Sequence, residues 1–231
     1  MPRGGDPGAG GQPRHTARRR GLPAHAGGLT LKRLVVVDGL DGCGKDTHAR
    51  RIAELMGAEG HAVSVVSHPS RRFFGRLSKR ALQGSGHGPR AVATLFYTLD
   101  VLASVSRYNR AREGTFVFVR YLLGTAYLPK GLAPLGYRLF SNLLPFPDLA
   151  LFIDIEPAVA LRRIEARDHR REMFETLEKL ESVRGVAKAL AGEGWVVIDN
   201  SEDGEAPFRR LAEVMAARGY LEPRPGLSGP P

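Results

Sequence analysis

The chain has 231 residues, 42% of them hydrophobic, which is enough for one α/β domain with a full core. Its single cysteine, Cys43, excludes an intramolecular disulfide, and no apolar run reaches the length of a membrane span. The formal net charge of +10 raises the question of an anionic partner, so where the charge sits matters more than its sum.

In chain order, residues 1–29 set Arg3, Arg14, Arg18, Arg19 and Arg20 against Asp6 alone, among Gly, Pro and hardly any large apolar residue. Such a stretch buries too little surface to fold and reads as a disordered basic tail. It is the only place where the sequence suggests contact with nucleic acid. Residues 30–220 read as one folded domain. Runs rich in β-branched and aromatic residues predict strands at Arg33–Val37, Ala62–Ser67, Thr115–Val119, Leu149–Ile155 and Trp195–Ile198. Helical patterns lie between and after them, at Lys45–Met56, Phe73–Leu82, Arg90–Arg110, Leu135–Leu144, Ala158–Glu165, Glu172–Ala191 and Ala206–Arg218. Alternating elements with nearly continuous apolar strands imply an α/β fold of three layers: a five-stranded parallel sheet with helices on both faces. The Pro-rich residues 221–231 read as a second disordered tail.

Between the first strand and the first helix stands Gly39-Leu40-Asp41-Gly42-Cys43-Gly44-Lys45-Asp46-Thr47, with glycines and a lysine at P-loop spacing. Glycines let successive backbone N–H groups point into one anion hole, and the helix N-terminus adds partial positive charge. Residues 39–47 are therefore the candidate ATP-binding loop, with Lys45 reaching the β- and γ-phosphates. A Ser or Thr normally follows the lysine and ligates Mg²⁺; here Asp46 does, with Thr47 next. A carboxylate is also a hard oxygen ligand, so Asp46 and Thr47 together are the candidate metal site.

This loop, Leu95-Phe96-Tyr97, Arg120-Tyr121 with Thr125-Ala126-Tyr127, and Pro147-Asp148-Leu149-Ala150-Leu151-Phe152-Ile153-Asp154 together resemble the thymidylate kinase family, over about residues 32–218. The resemblance implies a P-loop NTPase fold with a mobile lid, transfer of the ATP γ-phosphoryl group to a nucleoside monophosphate with dTMP first, ATP and Mg²⁺ as cofactors, a homodimer, and a cytoplasmic setting with no membrane. It implies that Asp41 faces the acceptor sugar, that Arg71 and Arg120 hold the acceptor phosphate, and that Phe96 stacks on the base. Arginine suits the phosphate because its planar fork donates two parallel hydrogen bonds. Among Leu95, Leu99 and Leu102 the same Phe96 also fits a core position. Tyr127 belongs to the same pocket. The P-loop itself has no arginine, so Arg167, Arg170 and Arg171 are implied to be the lid cations that stabilise the transferring group, beside the catalytic Lys45 and Arg120. Residues 199–203 match the loop that passes the adenine.

Two positions depart from the pattern. Val119 stands where an aspartate usually precedes the Arg-Tyr pair. Asp100 stands four residues beyond Phe96, where an arginine is implied to donate to the thymine carbonyl. An ionised aspartate only accepts, which favours a base carrying an exocyclic amine if Asp100 faces it. Two alternatives therefore stand beside dTMP: a kinase of another monophosphate or of a nucleoside, and a nucleotide-binding protein with little turnover.

Overall fold

The structure, a computed structural model, describes residues 31–82, 87–128, 131–167, 176–192 and 194–222. Both expected tails lie outside these residues, except that Leu221 and Glu222 are described. Leu221, read from the sequence as tail, is buried in the core at 8% exposure, and the Glu222 N–H donates to the Glu59 carboxylate. The folded body therefore runs past residue 220, because an apolar side chain there has a place to pack.

Five parallel strands form one sheet: β1 (Arg33–Gly39), β2 (Val63–Ser67), β3 (Thr115–Val119), β4 (Leu149–Asp154) and β5 (Trp195–Asp199). Their spatial order is β2-β3-β1-β4-β5. The three central strands are buried nearly throughout, as their apolar runs require when helices cover both faces. The edge strands are less covered, and Val65 of β2 and Val197 of β5 are exposed.

Around the sheet run α1 (Lys45–Ala58), α2 (Phe73–Leu82), α3 (His87–Arg110), α4 (Ala133–Leu143), α5 (Pro157–Arg167), α6 (Leu177–Ala191) and α7 (Ala206–Ala217). A 3-10 turn at Leu123–Tyr127, absent from the sequence reading, follows β3. Helix α6 is described from Leu177, with the Thr176 side chain capping it by accepting from the Lys179 N–H. Of the expected lid stretch, residues 167–171, all but Arg167 lie outside the described residues. Among the described residues no helix is long and apolar enough to cross a membrane.

Strand order decides where a ligand can sit. The chain leaving β1 crosses by α1 towards β2, whereas the chain leaving β3 crosses the other way to β4. A crevice therefore opens between the C-terminal ends of β1 and β3, where open α/β sheets bind their ligands. The other end of the sheet's working edge is fastened by charge. Asp154, at the end of β4, accepts two hydrogen bonds from Arg184 of α6, at 2.8 and 2.9 Å, and one ion pair from Lys188 at 2.9 Å. Arg184 also pairs with Glu156 at 2.6 Å.

Arg184→Ala leaves the buried Asp154 with Lys188 alone, so it is expected to lower the unfolding free energy by about 2–4 kcal/mol. Urea denaturation followed by circular dichroism measures this. A loss below about 0.5 kcal/mol, the size of an exposed pair, would mean that α6 is held by its apolar face only.

Candidate active site

The loop after β1 has the backbone that an anion cradle needs. Gly42 and Gly44 have φ of 78° and 86°, in the left-handed region, and Gly44 caps α1. A Cβ on Gly39 would strike the carbonyl of Ile153, so the loop also lies too close to β4 for any side chain there. Lys45 opens α1 and is 2% exposed. Its Nζ donates to the Leu40 carbonyl at 2.6 Å and to Asp41 Oδ1 at 3.3 Å, so the lysine folds over the loop from within. Cys43 is fully buried, and burial pushes its thiol pKa up, which makes it a packing residue of the loop.

Arg120 arrives from β3. Its φ of 59° is unusual for a residue with a side chain, and its own hydrogen bonds hold it there: its N–H donates to Val37 at 3.3 Å and its carbonyl accepts from the Tyr97 hydroxyl at 2.7 Å. The strained backbone swings the guanidinium back over the P-loop. One terminal nitrogen meets Asp41 Oδ1 at 3.3 Å and the other meets Asp46 Oδ2 at 3.4 Å. Burial would raise the pKa of both carboxylates, but Lys45 and Arg120 outweigh it, with the Tyr127 hydroxyl on Asp41 and the Ser67 hydroxyl on Asp46. Both are thus held below the ordinary carboxylate range. Tyr127 closes this cluster: its hydroxyl donates to Asp41 Oδ2 at 2.8 Å and accepts from the Asp41 N–H at 3.1 Å.

Below the cluster lies a residue to which the sequence reading gave no role. Asp38, the penultimate residue of β1, is 1% exposed, and its carboxylate accepts from the backbone N–H groups of Tyr121, Leu122 and Leu123 at 2.9–3.1 Å. These are the donors at the start of the 3-10 turn, which would otherwise be buried without partners. The signal in the sequence was an acidic residue ending an apolar strand, a position that is costly to fill unless something binds it.

Of the residues expected to meet the acceptor, Arg71 is exposed and has no hydrogen-bonding or ion-pair partner among the described residues. Phe96 is half-buried, its ring near-parallel to that of Phe74 with centroids 6.5 Å apart. Asp100 does not stand as the base-reading expectation required. It is fully buried, with Oδ2 accepting from the Ser70 N–H and Oδ1 from the Ser70 hydroxyl, each at 2.6 Å. The carboxylate is spent on holding the loop after Pro69, since a buried charge takes the nearest strong donors.

On the opposite side, the loop after β5 reaches the cradle. Asn200 donates to the Cys43 carbonyl at 2.8 Å, and Arg163 of α5 holds this loop through the Asn200 carbonyl at 2.9 Å and Asp203 at 2.7 Å. Residues 199–203 were expected here; Arg163 was not, because nothing in the sequence distinguishes it from neighbouring Arg162. Of the expected lid cations, Arg167 ends α5, its side chain undescribed, and Arg170 and Arg171 lie outside the described residues.

Among the described residues no three His, Cys, Asp or Glu side chains gather to hold a metal. A Mg²⁺ ion that relies on one carboxylate and on phosphate oxygens needs no such group, and the exposed Asp46 beside Lys45 and the exposed Thr47 fit that role.

Parallel sheet, crevice, phosphate loop, lysine, and an arginine held over the loop by two aspartates define a P-loop nucleotide kinase. The thymidylate kinase family pattern matches residues 37–208. The chain is 35% identical over 175 residues to a probable thymidylate kinase of Pyrobaculum calidifontis, covering 71% of this chain and 86% of that protein. It is 32% identical over 188 residues to the thymidylate kinase of Xanthomonas campestris pv. campestris, covering 80% and 83%. The solved structure of thymidylate kinase from Candida albicans shares the fold with a TM-score of 0.66 at 17% identity, covering 82% and 93%. The chain belongs to the thymidylate kinase family and is an enzyme of the nucleoside monophosphate kinase class.

Asp38→Asn turns one of the oxygens facing three buried N–H groups into a donor. It is expected to destabilise the fold by about 2–4 kcal/mol and to lower kcat/KM by disordering the segment that carries Arg120. Thermal melts and steady-state kinetics test it; a variant with unchanged Tm and rate would show that the turn is held without Asp38.

Proposed function

We propose that the chain transfers the γ-phosphoryl group of ATP to dTMP, giving dTDP and ADP, with Mg²⁺. The observation that carries this reading is the meeting of Lys45, Asp41 and Arg120 within one hydrogen bond of each other at the mouth of the P-loop. One cation is suited to the donor phosphates, another to the acceptor phosphate, and the carboxylate between them to an acceptor hydroxyl. A neutral nucleoside would leave the exposed Arg71 without an anion.

Catalysis on this arrangement is positioning and charge stabilisation, without a covalent intermediate. The backbone of residues 39–44 cradles the donor phosphates, and Lys45 turns from Leu40 towards the β- and γ-phosphates. Arg120 and Arg71 orient the acceptor phosphate in line. Asp46, with Thr47 next to it, would hold Mg²⁺, which when bound neutralises charge on the β- and γ-oxygens. Asn200 and the loop it anchors would flank the adenine. Arg167, Arg170 and Arg171 supply the remaining positive charge from the lid. A homodimer, a cytoplasmic setting and a purely accessory role for the basic residues 1–29 complete the reading.

The alternative of an amine-bearing base rested on Asp100. With both of its oxygens engaged by Ser70, Asp100 favours no such base, and dTMP stands first.

A coupled ADP-release assay across dTMP, dUMP, dCMP, CMP, UMP, AMP and GMP is expected to give the highest kcat/KM with dTMP. Lys45→Ala is expected to remove turnover by at least about a hundredfold while leaving the circular dichroism spectrum intact. Turnover of the variant near the wild-type rate would remove the reading.

Replacing Arg167, Arg170 and Arg171 together by alanine is expected to lower kcat by about tenfold or more with a smaller change in KM, since contacts to developing charge tighten only in the transition state. A triple variant that loses acceptor affinity alone would make this stretch a binding element.

A further inference from the structure

The peptides on either side of the Cys43–Gly44 bond are fastened locally, within the P-loop and α1. On one side the Cys43 N–H donates to the Leu40 carbonyl at 3.3 Å. On the other, the Gly44 carbonyl accepts from the Thr47 and His48 N–H groups, each at 3.0 Å, and the His48 ring adds a contact from Nδ1 at 3.1 Å. The peptide between them has no such local tie. Among the described residues the Gly44 N–H has no hydrogen-bond acceptor, and the Cys43 carbonyl has one donor, the Asn200 side-chain amide at 2.8 Å, 157 residues further on.

That amide is held in its turn. The Asn200 N–H donates to the Asp154 carbonyl at 2.9 Å, and its own carbonyl accepts from Arg163 at 2.9 Å. The side chain is buried and lies so close to the loop that a Cβ on Gly44 would stand 2.8 Å from its Nδ2.

In a trans peptide the C=O and N–H point opposite ways. The bond that draws the Cys43 carbonyl towards the loop after β5 therefore turns the Gly44 N–H away from that loop. Gly44, at a φ of 86°, belongs to the one residue type that accepts either sign of φ, so backbone sterics alone do not forbid the reversed peptide. Reversal would put a carbonyl oxygen where an N–H stood and repel a phosphate. We propose that Asn200 is a positioning residue for the donor phosphates: by holding the Cys43 carbonyl it keeps the Gly44 N–H in the cradle. The inference rests on the reading of residues 39–44 as that cradle and deepens it. Asn200 serves the phosphate end of the nucleotide from the loop assigned to its adenine end.

The experiment measures binding by calorimetry, with Mg²⁺ present, for wild type, Asn200→Ala and Asn200→Asp, the second of which keeps the volume and removes the donor. The ligands are ATP, tripolyphosphate, which lacks the nucleoside, adenosine, which lacks the phosphates, and dTMP. Both variants are expected to weaken ATP and tripolyphosphate about tenfold, the scale of one hydrogen bond to a charged group, with adenosine and dTMP within about twofold of wild type. Unchanged tripolyphosphate binding overturns the inference. So does a loss confined to ATP and adenosine, which would make Asn200 an adenine contact, or an equal loss for dTMP, which would make it a prop of the whole crevice. If wild type binds neither ATP nor tripolyphosphate, the cradle reading fails and takes this inference with it; if wild type binds both and the variants match it, this inference alone fails.

Discussion

The Asp38 carboxylate joins the two strands between which the site opens. Placed at the end of β1 and 1% exposed, it accepts from three successive N–H groups beyond β3, and so fixes the turn that carries Tyr121 to Leu123. Arg120 directly precedes that turn, in a left-handed conformation that costs energy and persists only where neighbours enforce it. Tyr127 ends the same turn and returns to Asp41. The reach of Arg120 and the orientation of Asp41 thus both depend on one buried anion at the C-terminal end of the central strand. Its desolvation is offset by three hydrogen bonds to charge, each stronger than a neutral one.

Charge around the P-loop is paired. Arg120 lies between Asp41 and Asp46, Lys45 lies on Asp41, and Ser67 at the end of β2 holds Asp46 at 2.7 Å. The carboxylate at position 46, unusual beside a P-loop lysine, draws together the ends of α1, β2 and β3. A phosphate entering here exchanges existing ion pairs for new ones, so its binding is a difference between two sets of contacts, not the sum of one. That exchange favours ligands presenting anions at both ends, as a donor and an acceptor phosphate do together.

Buried charged contacts fix both sides of the crevice. The β1–β3 side is fixed by Asp38, and the β4–α6 side by Asp154 with Arg184 and Lys188. Between α5 and α6, each anchored to the sheet or its loops, runs the segment carrying the expected lid arginines. Arg163 and Asn200 tie the α5 side to the P-loop itself, so a change in the loop after β5 is felt at the P-loop within two hydrogen bonds.

The sequence by itself determined the architecture. Among the described residues the five strands and seven helices stand within a few residues of their expected places, except that α6 starts at Leu177 and not at Glu172, because the apolar runs and the Gly–Lys turn are local signals that burial on both faces only reinforces. It also determined the P-loop, and it grouped Lys45, Asp41, Arg120 and Tyr127 as one site by resemblance. What only the tertiary structure decided was the direction of side chains whose partners are distant in sequence. Asp100, expected to face a base, is taken by Ser70, 30 residues away; Asp38 finds its partners 83 to 85 residues on; Arg163 meets Asn200 after 37. The physical reason is common to all three: a carboxylate or guanidinium out of water goes to the nearest unsatisfied backbone or side-chain group, and which group is nearest is fixed by the packing of strands and helices, which no local pattern encodes.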